Sequence, residues 1–334
     1  MPAAENDRLP THWPDNGAEV PLQAVSRLIY ASLSNVDGPV LDEMRRIRDH
    51  AVLNNQPAGL RVALLHMSGW FVEWIEGTAP GIRALLDRVA QDTRHQGLRV
   101  LHESVGKPRL FRPWIGSIVQ GGEGSGAFAR RLFALEDSLH RGGATEPASV
   151  WLRLCSPAAP DMPVPDGLFP RAMLLSAQGS TAFDLLTALA VQLRRPLVRR
   201  RFAGAADEVR DVESDYLDLP AVGQAGWRVI ANARKGLAMG MAHAFLPDHA
   251  AVVLLMSADP ARNAHLIERV LLACRQVHHV PVIVGLGTHD TVTPDLQELV
   301  ERQGLPWMSA ISPQRQPEPL DLWGALQPVL ARLG

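Results

Sequence analysis

Residues 60–76 of the chain read LRVALLHMSGWFVEWIE, two apolar runs on either side of Ser68 and Gly69. Two strand-like runs joined by a short turn that contains glycine are typical of an antiparallel β-hairpin. This hairpin is the feature around which the first half of the chain can be placed.

The register of the hairpin sorts its side chains onto two faces. With a two-residue turn, Val62 and Glu73 project from one face of the sheet, because side chains alternate along a strand. On the other face Arg61 lies opposite Glu76, and we expect these two side chains to form an ion pair at the surface.

Strand-like and helical patterns alternate on both sides of the hairpin. They are a strand at residues 27–32, a helical stripe at 40–51, a second stripe at 82–89 and a strand at 99–105. The resulting order β-α-β-β-α-β predicts a ferredoxin-like α+β domain with two helices on one sheet face. A further helix at 128–139 is expected to pack on this domain or to lead into the linker.

The second half of the chain has a different pattern. Residues 172–176, 251–257 and 280–286 are almost continuously apolar, and helical stripes follow each of them. Strands of this kind are covered on both faces, so the pattern predicts an α/β domain with a mostly parallel sheet. Residues 216–219 and 227–231 predict an additional hairpin beside it.

Proline and polar residues divide the chain into four parts. We expect a mobile tail over 1–22, an α+β domain with its C-terminal helix over 23–150, a proline-rich linker over 151–170, and the α/β domain over 171–334. The 334 residues are enough for two domains of ordinary size.

Composition excludes several classes of function. Lysine and arginine total 33 and aspartate and glutamate 35, so the net charge of −2 gives no sequence-wide reason to expect nucleic acid or an anionic membrane as partner. The two cysteines exclude a disulfide framework and a thiolate-rich metal site. No apolar run reaches the roughly 18 residues of a membrane span, and no secretion signal is evident, so we expect a cytoplasmic protein.

Five fragments of the first half suggest a family. They are RLIYAS at 27–32, the pair Asn54 and Asn55, GWFVEWIEG at 69–77, DTRH at 92–95 and FRPW at 111–114. As an ordered set over about residues 24–120 they resemble the BLUF domain, the flavin-binding blue-light sensor. The resemblance implies a flavin, FAD or FMN, between the two helices.

The same resemblance implies which residues would contact the flavin ring. They are Tyr30, Asn55 and Trp114, with Glu73 at the position where the family has a glutamine. A glutamine amide donates and accepts hydrogen bonds, whereas an ionised glutamate only accepts and places a negative charge against ring acceptors. Val62 also adds bulk, and Gly116 stands where the family has a methionine. We therefore expect no bound flavin and no light switch.

Residues 174–181, LLSAQGST, follow a predicted strand and precede a predicted helix. In this place they resemble the phosphate-binding P-loop of a Ras-like small GTPase. Gly179 and Thr181 are retained, but Ser180 stands where the family has a lysine. Farther on, Asp290 is the only match to the guanine-recognition motif. Without the lysine charge we expect neither tight GTP or GDP binding nor hydrolysis.

A few polar clusters remain outside these resemblances. Five arginines, at positions 194, 195 and 199–201, predict a solvated strand or edge that could dock an acidic partner. His243 and His249 are expected to face solvent, and no metal site is predicted. Common catalytic motifs such as G-x-S-x-G and H-E-x-x-H are absent from the sequence.

We therefore expect a signalling or scaffolding protein without catalytic residues, built from a pseudo-BLUF domain and a pseudo-GTPase domain. Its output would be association with a protein partner, possibly a second copy in a dimer or another GTPase-like protein. The alternatives are a flavin sensor with a protonated Glu73, an atypical nucleotide switch that uses Gly179, Ser180, Thr181 and Asp290, and an unrelated enzyme with an interdomain cleft.

Overall fold

The computed structural model describes residues 24–121, 123–142, 146–156, 170–203, 212–222, 225–234, 236–275 and 279–334. The strands are β1 (Val25–Ser34), β2 (Arg61–Met67), β3 (Trp70–Gly77), β4 (His95–Gly106), β5 (Ile115–Gln120), β6 (Arg171–Ser176), β7 (Val198–Phe202), β8 (Val212–Val222), β9 (Ala225–Asn232), β10 (Ala251–Leu255), β11 (Val282–Gly287) and β12 (Trp307–Ile311). The helices are α1 (Val40–Asn55), α2 (Ala79–Ala90), α3 (Ser125–His140), α4 (Pro147–Cys155), α5 (Thr181–Leu193), α6 (Gly236–Met239), α7 (Pro260–Cys274), α8 (Pro294–Glu301) and α9 (Pro319–Leu333).

The predicted hairpin is confirmed. Ser68 and Gly69 have φ angles of 53° and 76°, the pair of positive values that a tight two-residue hairpin turn requires. The turn fixes the register, in which Leu64 faces Glu73 and Arg61 faces Glu76 across strands β2 and β3.

The N-terminal sheet has the strand order β4-β1-β3-β2-β5. Its first four strands and helices α1 and α2 have the predicted β-α-β-β-α-β order, and both helices pack on one face around Tyr30, Met44 and Phe71. Helices α3 and α4 cover the opposite face, where Trp74 and Trp151 meet. The sheet is therefore buried on both faces.

The C-terminal half is a mixed sheet with many parallel strands. Strands β9, β6, β10, β11 and β12 run parallel in that spatial order. The predicted hairpin of β8 and β9 is confirmed and adds antiparallel pairing at one side. Helices α5 and α9 cover one face and α7 and α8 the other, each with its own apolar cluster.

Strand β7 joins the two halves into one sheet, because it pairs antiparallel with β5 on one side and with β8 on the other. In the described parts of the chain this sheet has twelve strands. The prediction of a solvated strand or edge at the arginine cluster was therefore wrong. Arg199 forms two hydrogen bonds of 2.9 and 2.7 Å to Asp215, Arg200 is buried, and Arg201 donates to Gln120. Of these three arginines, Arg199 is thus paired with a carboxylate of the neighbouring strand β8.

Helix α4 occupies the first residues of the predicted linker, and Trp151 within it is fully buried. Residues 157–169, the rest of the proline-rich segment apart from Ser156 and Pro170, lie outside the described residues, as does the predicted tail. The four-part division of the chain stays a prediction. In the part of the chain that is described, no helix is long and apolar enough to cross a membrane.

Candidate functional site

Tyr30 and Glu73 meet on the sheet face that carries helices α1 and α2. They are directly opposite each other in the register of β1 and β3, and the Tyr30 hydroxyl donates a hydrogen bond to the Glu73 carboxyl. Both are buried, with exposures of 0% and 6%. The hairpin places Glu73 on the same face as Val62, as predicted.

Burial raises the pKa of the Glu73 carboxyl to about 7, although the hydrogen bond from Tyr30 acts in the opposite direction. Burial, and next the nearby Glu73 charge, raise the pKa of Tyr30 well above its usual value. Glu73 is therefore partly protonated at neutral pH. A neutral carboxyl has one O–H donor and one carbonyl acceptor, the same pair of functions that an amide offers.

Asn55 and Trp114 each present an unsatisfied polar atom. The Asn55 amide donates to the Pro113 carbonyl at 3.2 Å, which leaves its Oδ1 buried without a partner. The Trp114 Nε1 is likewise buried without a partner, and its ring packs in the same apolar cluster as Tyr30. The cluster thus holds one free acceptor and one free donor.

Ion pairs hold helix α1 close to the segment that follows α2. Arg94 bonds to Glu43 in the first turn of α1 at 2.7 Å and also to Asp92. His95 lies beside it, bonds to Ser32 at 2.8 Å and packs against the Phe71 ring. The sequence fragment DTRH contains these residues, but its pairing with Glu43 could not be inferred from spacing.

The predicted surface ion pair between Arg61 and Glu76 does not form. The two residues are opposite each other, but Glu76 is fully buried, and its carboxyl accepts the backbone N–H groups of Arg109 and Leu110 at 2.7 and 2.8 Å. Arg61 donates to the Leu110 carbonyl instead. The loop before Trp114 is therefore anchored on Glu76, which the hairpin register alone could not show.

Gly116 is closed in by the C-terminal half of the molecule. A Cβ atom at this position would overlap the Ala203 carbonyl, and the Ala203 N–H donates to the Gly116 carbonyl at 2.8 Å. A methionine side chain would not fit here. The absence of that side chain is thus a consequence of the pairing between β5 and the chain after β7.

These residues fit the chemistry of a flavin ring when Glu73 is neutral. An isoalloxazine ring offers carbonyl acceptors and one N–H donor between two apolar faces. Neutral Glu73 and Trp114 are possible donors to the ring, since the single O–H of Tyr30 is donated to Glu73, and Asn55 Oδ1 is a free acceptor. The orphaned atoms of Asn55 and Trp114 have the polarity that the ring requires.

The C-terminal residues singled out in the sequence lie at one edge of the sheet, where the parallel strands end. Gly179 has a φ of 63° and forms a turn. Ser180 donates to Asp184 at 2.9 Å, and Thr181 begins α5 but does not cap it. Asp290 follows β11, two strands away from β6. Among the described residues, no hydrogen bond joins Asp290 to Gly179, Ser180 or Thr181.

The prediction of solvent-facing histidines near residue 246 was wrong for His249. His249 is buried, and one ring nitrogen bonds to the Phe245 carbonyl at 2.7 Å. His243 is half-buried and stacks on Phe111 with ring centroids 4.1 Å apart. Within the described ranges, no three metal-ligating side chains form a cluster.

Residues 25–116 match the family model described as BLUF, sensors of blue-light using FAD. A search of curated proteins finds no match. Solved structures with similar parts include a bacterial light-regulated adenylyl cyclase, at 21% identity and a TM-score of 0.28. The alignment covers 35% of this chain and 35% of the cyclase, so the chain spans about a third of that relative.

Two further structures align with different extents of the chain. BlrB, a BLUF protein in its dark state, is 20% identical over 35% of this chain and 84% of its own, with a TM-score of 0.26. Klebsiella pneumoniae BlrP1 in a calcium/cy-diGMP complex is 16% identical over 90% of this chain and 78% of its own, with a TM-score of 0.28.

The family match corrects the expectation of no cofactor. The matched family consists of sensors that use FAD, and the match spans Tyr30, Asn55, Glu73 and Trp114. The prediction failed because it assigned Glu73 a full negative charge, whereas burial favours the neutral carboxyl. Residues 25–116 of this chain are thus similar to the BLUF family.

Proposed function

We propose that this protein is a flavin-binding signalling protein in which the BLUF domain acts on the C-terminal α/β domain. The observation that carries the proposal is the buried Tyr30–Glu73 hydrogen bond within the segment that matches the FAD-using family. FAD, when bound, would supply the absorption of blue light. The chain itself supplies the hydrogen bonds and the protons around the ring.

Four residues would form the flavin site. Asn55 would accept from the ring through its free Oδ1, and Trp114 would donate through its free Nε1. Tyr30 holds Glu73 in place through its hydroxyl. Glu73 would donate to the ring when protonated, and its pKa of about 7 makes that donation dependent on pH near neutrality.

Strand β5 is the direct connection from this site to the C-terminal domain. It begins at the residue after Trp114 and pairs with β2 on one side and β7 on the other. Within it, Ser117 donates to Glu213 of strand β8. A change in the position of Trp114 would be transmitted through these hydrogen bonds.

We further propose that the C-terminal domain is a GTPase-like domain that acts through association with a protein and not through hydrolysis. Strand β6 has a parallel strand on each side and is followed directly by α5. This arrangement supports a GTPase-like fold for the C-terminal domain. The use of the Ser180 hydroxyl by Asp184 supports the loss of phosphate chemistry. The partner would be a second copy or another GTPase-like protein.

An absorbance spectrum tests the flavin part. We expect the protein purified with FAD to show bound-flavin bands, with a dependence on pH whose midpoint lies near 7. Glu73→Gln should keep the bands and lose that dependence, while Glu103→Gln, at an exposed position, should leave it unchanged. Failure of FAD to bind the native protein at micromolar concentration would refute the proposal.

Calorimetry tests the second part. With GTP, GDP and ATP, each with and without magnesium, we expect no binding at micromolar concentration. Micromolar binding that is lost in Thr181→Ala would contradict the proposal and favour the nucleotide switch instead. Sedimentation of the FAD-bound protein in darkness and under blue light would then show whether association of two copies responds to light.

A further inference from the structure

A small polar cavity lies where the BLUF-like domain meets the C-terminal domain, and it belongs neither to the flavin site nor to the end of the parallel strands. It is bounded by the end of α4, by strands β6 to β9 and by the segment 241–249. Its volume is about 40 Å³. Among the residues that line it are Arg171, Arg200, Arg228, Tyr216 and Glu213.

Arg171 lies in this cavity without an ion pair of its own, because the Asp248 carboxylate, which acts on its charge, is ion-paired with Arg109 at 2.6 Å. Its side chain is 5% exposed and makes no hydrogen bond or ion pair with any described residue, and its Nη1 is buried without a partner. Burial, and then the neighbouring Arg228, lower its pKa to about 9. The guanidinium therefore remains charged at neutral pH, in a place where a charge without a partner is strongly unfavourable.

The other arginines do not lack partners, but they add positive charge. Arg228 forms two hydrogen bonds to Asp218, at 2.7 and 2.9 Å, and donates to the Ser156 carbonyl at 2.7 Å. Arg200 donates to Ser156 through one Nη, while its Nε is buried without a partner. Within the described residues, two carboxylates besides that of Asp248 accompany these three guanidinium groups, those of Asp218 and Glu213.

Neither of those carboxylates is free to neutralise Arg171. Asp218 is bonded to Arg228 through both oxygens. Glu213 accepts from the Ser117 hydroxyl and from the Met241 N–H. Among the residues that the structure describes, the Arg171 charge is left without a paired carboxylate, and four lining atoms lack a partner: Arg171 Nη1, Arg200 Nε, Tyr216 Oη and His249 Nε2.

We propose that this cavity binds a small inorganic anion of halide size. A cavity measured in this way needs only ~10–15 Å³ to hold one water-sized particle, so a cavity of about 40 Å³ has room for one small ion. Water alone could satisfy the donors but could not balance the charge. His249 also faces the cavity. One of its ring nitrogens donates to the Phe245 carbonyl, so in the neutral ring the other nitrogen is an acceptor and does not donate to the anion.

The position of the site implies what the anion does. Ser156, at the end of α4, belongs to the N-terminal half, and the arginines belong to strands of the C-terminal half. An anion that balances the arginines would strengthen the contact between the two halves. The inference does not depend on the flavin proposal, because none of these residues contacts the Tyr30–Glu73 cluster.

Thermal unfolding of the full chain tests the proposal. We compare sodium chloride, sodium bromide and sodium gluconate at matched ionic strength, since gluconate is too large for the cavity. We expect chloride and bromide to raise the unfolding midpoint by about 3 °C at saturating concentration relative to gluconate. Equal midpoints in the three salts would overturn the proposal.

A variant and its control locate the effect. Arg171→Met should abolish the difference between chloride and gluconate, while Arg201→Gln, at a less buried position on β7, should keep it. An unchanged difference in Arg171→Met would refute the site. If that variant does not fold, anomalous diffraction from native crystals containing bromide decides the matter. A bromide peak next to Arg171 supports the site, and its absence refutes it.

Discussion

At the scale of single residues, Glu73 combines a buried position with an ionisable group. Its carboxyl lies under helices α1 and α2 and accepts a hydrogen bond from Tyr30. The raised pKa means that the folded chain holds a proton on Glu73 that the unfolded chain releases between pH 4.5 and about 7. The stability of the protein should therefore depend on pH through this residue.

We predict that the contribution of Glu73 to stability falls as pH rises from about 5 to 7 and is then constant. The folded state binds more protons than the unfolded state in this window, so raising pH favours unfolding. At about 1.4 kcal/mol per pKa unit, the loss amounts to a few kcal/mol. Urea unfolding at pH 5 and pH 8 should show the fall in the native protein and less of it in Glu73→Gln.

Glu103→Gln serves as the control for that experiment, because Glu103 is exposed on β4. It should show the same pH dependence as the native protein. A dependence in Glu73→Gln that equals that of the native protein would mean that Glu73 is ionised in the fold at all these pH values.

Glu76 provides a second prediction at this scale. Both N–H groups that it accepts, those of Arg109 and Leu110, bond to the same carboxyl oxygen. Glu76→Ala should cost about 3 kcal/mol in the free energy of unfolding, since two buried donors lose their acceptor. Glu76→Gln keeps one oxygen and should cost much less. Equal costs in urea unfolding would contradict this explanation.

The sequence allowed some of these residues to be placed but not their chemical state. The turn at Ser68 and Gly69 was enough to predict that Val62 and Glu73 share a face. The protonation of Glu73 depends on burial by two helices, and the burial of Glu76 depends on a loop 33 residues away. Neither can be inferred from the alternation of side chains along a strand.

At the scale of elements, the pairing of β5 with β7 determines how the two halves meet. Gly116 lies in β5 where the chain after β7 comes closest. We predict that Gly116→Ala destabilises the protein by more than 2 kcal/mol, because the added Cβ would overlap the Ala203 carbonyl, which is backbone and cannot rotate away. Urea unfolding measures the change.

The matched control is Gly324→Ala in helix α9. An added Cβ there meets no atom within 4 Å, and alanine favours the helix by about 1 kcal/mol, so this variant should be slightly more stable than the native protein. A neutral effect of Gly116→Ala would show that β5 and β7 can separate without loss of stability.

Most elements follow from their local pattern, but β7 shows where that approach fails. Its sequence VRRRF has the charge of an exposed edge, and only the buried Asp215 on β8 explains why it can lie inside a sheet. Strand β5 was not predicted. Its six residues are not preceded by a clear turn, and no helical pattern lies directly beside them.

At the scale of the whole molecule, the continuous sheet predicts that the two halves unfold together. FAD at about 100 times its dissociation constant should stabilise the folded chain by about 2.7 kcal/mol. Because the halves are joined, tryptophan fluorescence and far-ultraviolet circular dichroism should report the same unfolding transition, and FAD should shift its midpoint equally in both signals. Two transitions, of which FAD shifts only one, would show that the halves are independent.

The strand shared by the two halves limits the kind of motion that a signal can use. A hinge that swings one half away from the other would have to break the backbone hydrogen bonds between β5 and β7. A small change in the twist of neighbouring strands would leave those bonds intact. The molecule is therefore suited to torsion within the sheet, and its moving parts would be the surfaces at the far end, near β12.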